Sequence, residues 1–183
     1  MSAVAPVASR LHHNAYVAKD LEATVAFYDG VLGLPLVATW CEKDLLFGKE
    51  RTYCHCFFGL QDGSALAFFK FAEEADQEQF GPAMPFSPFH HIALKVAALS
   101  DIDALGKRIK AAGITEPNTF ILEHGYCRSL YVVDPNGLIV EFTCDAANAD
   151  ALNAQRRLDA HSELKRWLAG DHTPNNVANN AAA

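Results

Sequence analysis

A glutamate lies inside an apolar run near the end of the chain. Glu141 belongs to Leu138-Ile139-Val140-Glu141-Phe142, whose composition is typical of a buried strand. A buried carboxylate destabilises a fold unless it becomes neutral or is paired with a cation or a metal ion. Upstream, Asp134-Pro135-Asn136-Gly137 has the residues of a type I turn, so Tyr131 and Glu141 are expected on paired strands. The sequence therefore predicts a cation or metal site on this strand.

Two histidines in similar local sequences could complete such a site. His13 opens His13-Asn14-Ala15-Tyr16-Val17, and His91 opens His91-Ile92-Ala93-Leu94-Lys95-Val96. A helix-like segment follows each, so the chain contains a weak repeat of two units. A single strand histidine is more often a hydrogen-bonded core or surface residue than a ligand, and each of these is preceded by a second histidine. Two strand-opening histidines together with a strand glutamate nevertheless favour a metal site.

The composition bounds the class of protein. The chain has 183 residues, of which 50% are hydrophobic, and a formal net charge of −7, which fits one domain or two small modules and argues against a nucleic-acid partner. We expect no signal peptide and no membrane partner, because no apolar run is long enough. The number of cysteines is odd, which favours reduced thiols and a cytoplasmic location. They are Cys41, Cys54, Cys56, Cys127 and Cys144.

The tripeptide Cys54-His55-Cys56 resembles half of a zinc site. On a strand, Cys54 and Cys56 would share one face while His55 points to the other. No second cysteine pair has the spacing that would complete a tetrahedral site. We therefore interpret the two cysteines as buried structural thiols.

The predicted elements follow the same order in both halves of the chain. Module 1 (residues 10–72) and module 2 (residues 88–145) each read β-α-β-β-β, so residues 10–145 form one α+β domain. The first strand of module 2 is expected at 89–96. The strands that follow the helices are predicted at 36–40, 52–60, 64–71, 119–122, 128–133 and 138–143.

Capping residues predict where the module helices begin and end. Asp20 is a candidate N-cap for the first helix, and Gly33 follows its last turn. Near Ser100 the sequence fits a capping box, and Gly113 ends the second helix. The acidic segment that begins at Glu73 and runs on to Gly81-Pro82 and Pro85 is predicted to be a linker.

The ends of the chain have a different composition. Residues 1–9 are expected to be a flexible lead, and residues 146–169 are predicted to form a C-terminal helix. From residue 170 to residue 183 the chain is rich in Asn and Ala, which is typical of a disordered tail.

Several phrases of the sequence resemble the vicinal oxygen chelate superfamily of glyoxalases, bleomycin resistance proteins and extradiol dioxygenases. They are Asp20-Leu21-Glu22-Ala23-Thr24-Val25-Ala26-Phe27-Tyr28, Val31-Leu32-Gly33-Leu34, His91-Ile92-Ala93-Leu94 and the ending Asp134-Pro135-Asn136-Gly137 through Glu141. The resemblance extends over residues 11–144. It implies two tandem βαβββ modules that form a partly open mixed barrel around one divalent metal ion.

The resemblance also implies a ligand set, which is His13, His91 and Glu141. Strand alternation selects His91 over His90, because it leaves Ile92 and Leu94 to pack on the helix. His13 has the offset from the first helix that family members show. Two imidazoles and one carboxylate with open positions are also what ferrous, oxygen-activating enzymes use.

Within the superfamily, the last module is most similar to extradiol ring-cleaving dioxygenases. Their signature is matched at His124, Tyr131, Asp134-Pro135, Gly137 and Glu141, with a mismatch at Leu122. Glyoxalase-like and epimerase-like members supply a fourth ligand from the last strand of module 1. The matching residues 65–69 of this chain are apolar, which argues against a four-ligand isomerase site.

The resemblance implies a mechanism in which a catechol and dioxygen both reach Fe(II). His124 and Tyr131 would hydrogen-bond the substrate or the developing oxyanion; the alternatives are a solvated loop histidine and a core tyrosine. The acid/base histidine of two-domain extradiol enzymes is missing near Asp62, where Asp62 itself or His55 could substitute. The apolar residues that would line an aromatic site, or serve as ordinary core, are Phe57, Leu66, Phe68 and Phe86.

The resemblance thus implies an extradiol dioxygenase of aromatic catabolism that acts with dioxygen on a catechol such as a 2,3-dihydroxybiphenyl-like substrate. The expected cofactor is Fe(II), with Mn(II), Ni(II) and Zn(II) as alternatives, and homo-oligomers are compatible with the sequence. A second hypothesis is a glyoxalase-like lyase or isomerase that uses a non-redox metal. A third is a ligand-binding protein without activity, which would not need the three ligands.

Overall fold

The computed structural model describes residues 7–81 and 89–176. The chain divides into two compact units. Unit 1 contains the described residues up to 81 together with the turn segment Asp134–Leu138, and unit 2 contains residues 89–133 and 139–176. Each unit carries one four-stranded mixed sheet, so the predicted α+β class with two modules is confirmed.

Unit 1 has the elements predicted for module 1. Its strands are β1 (His13–Val17), β2 (Leu36–Leu46), β3 (Lys49–Gly59) and β4 (Ala65–Phe71). Its helices are α1 (Leu21–Val25), which continues as a π-helical segment (Ala26–Leu32), and α2 (Glu74–Phe80). The sheet order is β1-β4-β3-β2, in which β1 is parallel to β4 and the other neighbours are antiparallel.

The first helix begins and ends at the predicted residues. The Asp20 carboxylate accepts a hydrogen bond of 3.0 Å from the backbone N–H three residues later, and Gly33 ends the π-helical segment with a φ of 72°. The helix buries Tyr28, whose ring lies 5.1 Å from that of Phe58 and 4.8 Å from that of Phe68. One face of the sheet therefore packs under this helix.

The turn segment Asp134–Leu138 is hydrogen-bonded to the same helix. The Tyr28 hydroxyl donates to the Asp134 carboxylate at 3.0 Å, and the Asn136 amide donates to the Thr24 hydroxyl at 3.1 Å. The Lys19 backbone N–H donates to the Asn136 side chain at 2.8 Å. Burial raises the pKa of the Asp134 carboxyl above its usual range. These contacts give Asp134 and Asn136 a structural role that the sequence did not predict.

Unit 2 repeats the architecture. Its strands are β5 (His91–Lys95), β6 (Thr119–Glu123), β7 (Cys127–Val133) and β8 (Ile139–Asp145), and its helices are α3 (Leu99–Ala111) and α4 (Ala149–Leu168). The sheet order is β5-β8-β7-β6, again with one parallel pair, β5 with β8. Helix α3 buries an apolar stripe that consists of Ile102, Leu105 and Ile109.

The start of α3 differs from the prediction. The helix begins at Leu99, and Ala98 is the capping position. The carboxylate of Asp101 accepts a hydrogen bond of 2.9 Å from the Ala98 backbone N–H. The predicted capping box near Ser100 was therefore placed too late in the sequence. The Asp101 carboxylate caps the start of the helix, although the capping position itself has no side-chain hydroxyl.

The predicted linker contains a helix, α2, which is a second correction. Asp76 on α2 is 2% exposed and accepts a hydrogen bond of 3.0 Å from Arg51 Nε and one of 3.0 Å from Lys49 Nζ. The Lys49 ammonium, with the Arg51 guanidinium as a further cause, lowers the pKa of the Asp76 carboxyl. Two cationic side chains of β3 thus hold this short acidic helix in place. The local composition of the segment gives no sign of these contacts, so it did not predict the helix. Residues 82–88, with Pro85 and Phe86, lie outside the described residues.

Strand β2 is also longer than the predicted 36–40. It continues to Leu46 and pairs with β3 along its whole length, while most of its residues are exposed. The second half of β2 was not predicted, because it contains the charged residues Glu42, Lys43 and Asp44. An exposed edge strand tolerates such charges, whereas a buried strand does not.

The C-terminal helix α4 lies within the predicted range. Asn175 and Asn176 donate hydrogen bonds to Glu163 at 2.6 Å and to the His124 carbonyl at 3.1 Å. Residues 1–6 and 177–183 lie outside the described residues, so the flexible lead and the disordered tail stay predictions there. None of the described helices is long and apolar enough to cross a membrane.

Candidate metal centre

Glu141 occupies the middle of the unit 2 sheet. Strand β8 lies between β5 and β7, and Glu141 pairs with Ala93 on one side and with Tyr131 on the other. The side chain is buried, since the residue is 5% exposed. The predicted pairing of Tyr131 with Glu141 across the turn is confirmed, and so is the burial of the carboxylate.

His91 meets this carboxylate. Its Nε2 lies 3.0 Å from Glu141 Oε2, and its Nδ1 lies 2.9 Å from the carbonyl oxygen of Phe89. A neutral imidazole carries one N–H, so it can donate to only one of two oxygens. The pair therefore needs either an additional proton, on the ring or on the carboxylate, or a metal ion between Nε2 and the carboxylate. A ring held by a carbonyl at Nδ1 is also the usual orientation of a metal-ligating histidine.

Tyr131 and His124 extend this arrangement. His124 Nε2 lies 3.0 Å from the Tyr131 hydroxyl, and the Tyr131 ring stacks on Phe120 with ring centres 4.9 Å apart. Burial, with the hydrogen bond to Glu141 as a second cause, raises the pKa of the Tyr131 phenol. The hydroxyl has one proton, so when it donates to Glu141 it accepts from His124 Nε2–H. The signature residues His124, Tyr131 and Glu141 thus form one hydrogen-bonded chain.

His13 lies in unit 1, at the start of β1. Its Nδ1 is 2.7 Å from Nδ1 of the exposed His12, and its ring centre is 5.4 Å from that of Phe57 and 6.0 Å from that of His55. The side chain is half-buried. The structure therefore groups His13 with His55, and groups His91 with Glu141, Tyr131 and His124. Among the residues described, no set of three or more His, Cys, Asp or Glu is close enough to bind a metal.

His55 is buried on β3, on the same face of the sheet as Phe57. Its ring stacks on Phe69 with centres 3.6 Å apart, and its Nε2 has no hydrogen-bond partner among the described residues. Burial, with the nearby His13 as a second cause, lowers the pKa of the imidazole to about 4. The described neighbours of this histidine are therefore aromatic rings.

Of the residues predicted to line an aromatic site, or to serve as core, those that are described lie on two different faces of the unit 1 sheet. Phe57 contacts the rings of His13 and His55. Phe68 packs under Tyr28 on the helix-covered face, and the alternation of β4 puts Leu66 on that same face. Leu66 and Phe68 are thus ordinary core, which was the alternative interpretation.

Asp62 does not take the place of the missing acid/base histidine. One of its carboxylate oxygens accepts hydrogen bonds from the Ser64 backbone N–H at 2.9 Å and the Ser64 hydroxyl at 2.5 Å. These bonds lower the pKa of the carboxyl. Asp62 is therefore a turn residue, as the Asp-Gly dipeptide indicates.

The thiols of β3 lie on the face opposite to His55. The sulfurs of Cys54 and Cys56 are 3.8 Å apart. Burial, followed by the neighbouring Cys56, raises the pKa of the Cys54 thiol to about 12. A protonated thiol is a poor metal ligand, so the geometry supports the interpretation of structural thiols.

One residue of the site was missed by sequence reasoning. Phe120 on β6 pairs with Tyr131 and stacks on its ring, which fixes the orientation of the phenol. The signal was present in the sequence, because the predicted strand at 119–122 must pair with the strand that carries Tyr131.

Two mixed sheets with a histidine at the start of each parallel pair, and a glutamate on one of them, define a two-module fold with a candidate metal site. The model of the Glyoxalase/Bleomycin resistance protein/Dioxygenase superfamily matches residues 10–142 of the 183. The chain therefore belongs to this superfamily, as the sequence resemblance predicts.

Comparison with individual proteins agrees with this assignment. The chain is 27% identical over 136 residues to the uncharacterized protein YwbC of Bacillus subtilis (strain 168), covering 74% of this chain and 98% of YwbC. A glyoxylase/bleomycin resistance protein/dioxygenase domain from Frankia sp. EAN1pec has a TM-score of 0.57 at 16% identity, covering 78% of this chain and 95% of that domain.

A fosfomycin resistance protein also shares the fold. A point mutant of FosX from Listeria monocytogenes, solved with Mn(II) and 1S,2S-dihydroxypropylphosphonic acid, has a TM-score of 0.57 at 19% identity. The match covers 79% of this chain and 99% of that one. This structural relative thus holds Mn(II) together with an organic ligand.

Proposed function

We propose that the protein binds one divalent metal ion through His13, His91 and Glu141 and acts as an Fe(II)-dependent extradiol dioxygenase. The observation that carries the metal site is the pair formed by His91 and Glu141, in which both imidazole nitrogens face oxygens. A neutral ring cannot satisfy both, and a cation at Nε2 can. His13 is the third ligand by its position in the repeat, since β1 and β5 open the two modules alike.

Three protein ligands suit the chemistry of the proposal. Bound Fe(II) with open positions supplies the redox change and the coordination sites that a catechol and dioxygen need. Residues 65–69 add no polar side chain to β4, so they leave those positions to the substrates. A small aromatic substrate and dioxygen are therefore the proposed reactants.

His124 and Tyr131 are the proposed catalytic residues. Their hydrogen bond of 3.0 Å holds both groups beside Glu141, the residue that would bind the metal. From there the two side chains can donate to a substrate oxygen or accept its proton as negative charge moves. The ring stacking of Phe120 keeps the Tyr131 hydroxyl in a fixed direction.

A second candidate function is that of a glyoxalase-like lyase or isomerase with a non-redox metal. FosX, which shares the fold, was solved with Mn(II) and a diol phosphonate, and this favours the candidate. A binding protein without activity is disfavoured, because it has no need of a histidine, His91, paired with the buried Glu141. A cytoplasmic location and homo-oligomers stay proposals.

The test is an oxygen-electrode trace with catechol and 2,3-dihydroxybiphenyl on protein loaded with one metal at a time. Fe(II), and to a lesser degree Mn(II), should support oxygen uptake and a yellow ring-cleavage product, while Zn(II) should not, because it has no accessible redox change. The proposal is overturned if no metal gives oxygen uptake with any catechol while Ni(II) or Zn(II) protein turns over a thiol adduct or an epimerisable acid anaerobically.

A further inference from the structure

Strand β3 carries a buried polar atom that has no hydrogen-bond partner in the described part of unit 1. His55 is 8% exposed, and among the described residues its Nε2 has no hydrogen-bond partner. An unsatisfied buried nitrogen destabilises a fold, and such groups in native proteins need an explanation. Its Nε2 is therefore available to a polar group that is supplied from outside the chain.

The surroundings of His55 are aromatic. Its ring is stacked on Phe69 with an interplanar angle of 16° and tilted by 48° against Phe57, whose centre is 4.2 Å away. Packing between two rings fixes the plane of the imidazole, so Nε2 has a defined direction. A planar aromatic ligand fits such a setting, because aromatic rings prefer offset-stacked or edge-on neighbours.

His55 also lies beside the proposed metal ligand of unit 1. The ring centres of His55 and His13 are 6.0 Å apart, and Phe57 contacts both rings. Alternation along β3 puts Cys54 and Cys56 on the opposite face, under the helix. The polar atom therefore faces the same side as the metal ligand.

We propose that His55 is a substrate-binding residue, whose Nε2 forms a hydrogen bond with an uncharged oxygen of a planar aromatic ligand bound beside His13. This inference rests on the proposed function and adds a specificity-determining residue to it. The oxygen that meets Nε2 is uncharged, because the Phe57 and Phe69 rings against His55 carry no positive charge, and an anionic oxygen of the ligand would bind the proposed metal ion at His13 instead. A hydroxyl or ether oxygen on the ring satisfies Nε2 without that cost.

The experiment measures ligand binding without turnover. Zinc-loaded protein is titrated with 4-nitrocatechol under nitrogen, and the absorbance change of the chelated ligand gives Kd, while elemental analysis gives the zinc content. Wild type is compared with His55→Leu, which keeps the bulk but not the polar atom, and His55→Gln, which keeps a donor and an acceptor. The matched control is Cys54→Ala, one residue away on the opposite face.

We expect His55→Leu to bind 4-nitrocatechol about tenfold more weakly at unchanged zinc content, which is the loss of one hydrogen bond. His55→Gln should recover part of the affinity, and Cys54→Ala should match the wild type. The melting temperature of zinc-free His55→Leu should not fall, because the variant removes an unsatisfied group; a purely structural histidine would give the reverse.

Two failures are distinguishable. Equal 4-nitrocatechol affinity of wild type and His55→Leu at equal zinc content overturns the inference alone, and so does loss of zinc in His55→Leu, which would make His55 a ligand. A wild-type protein that binds neither zinc nor 4-nitrocatechol overturns the proposed function, and the inference with it.

Discussion

The two modules pair their first and last strands in the same register, but they carry chemically different side chains at matching positions. On β1, the residue two positions after His13 pairs with Ala67 of β4. On β5, the residue two positions after His91 pairs with Glu141 of β8. Both residues are buried in the middle of their sheets. A carboxylate in one module therefore corresponds to a methyl group in the other.

The next strand repeats this contrast. Phe57 of β3 is opposite Ala67, and Tyr131 of β7 is opposite Glu141. Unit 2 thus has a hydrogen-bonded pair where unit 1 has an apolar pair. The comparison teaches that a repeated scaffold can keep its strand pairing while one copy buries a carboxylate opposite a tyrosine and the other buries an alanine opposite a phenylalanine.

The largest expected effect follows from removing the proposed ligands. Replacing His13, His91 or Glu141 singly with Ala should abolish tight binding of Mn(II) or Fe(II), because each removes one of only three protein ligands. Elemental analysis after dialysis measures this. The controls are His12→Ala and His90→Ala, which should keep the metal; loss of metal in these variants would show that the ligand register is wrong.

The second prediction separates turnover from metal binding in unit 2. His124→Ala should keep the metal, since the residue contacts Tyr131 rather than the His91 and Glu141 pair, and should lower kcat by about 10²–10⁴-fold. Steady-state kinetics and metal content are measured on the same preparation. A fully metallated variant with unchanged kcat would remove His124 from the mechanism.

The third prediction concerns a carboxylate introduced into unit 1 at the position that corresponds to Glu141 of unit 2. Ala67→Glu should lower the free energy of unfolding of the metal-free protein by about 3 kcal/mol or more, because Ala67 is 0% exposed and the residues paired with it, Ala15 and Phe57, are apolar. Urea unfolding measures the loss. Ala67→Gln, with a similar shape and no charge, should cost less. Equal losses in the two variants would show that steric fit, not charge, separates the modules.

How much the sequence predicts depends on whether a feature is local. The Tyr131 and Glu141 pairing follows from turn chemistry and strand alternation, and the first helix follows from Asp20 and Gly33. Helix α2 was not predictable, because its Asp76 depends on cations of β3 that lie about 25 residues away in sequence. Likewise the missing partner of His55 is a property of tertiary packing, which no local pattern records.

The smallest expected effect concerns the uncharged histidine of unit 1. Burial first, and then the nearby His13, lower the pKa of His55 to about 4, whereas a histidine in an unfolded chain titrates near 6.5. Between these values the unfolded chain binds more protons than the folded one, so this residue makes the free energy of unfolding rise with pH. His55→Leu should lose about 2 kcal/mol of that rise between pH 4.5 and 6.5. Urea unfolding of metal-free protein at both pH values measures it, with Cys54→Ala expected to behave as wild type; parallel curves for wild type and His55→Leu would show that His55 is not held uncharged by its aromatic neighbours.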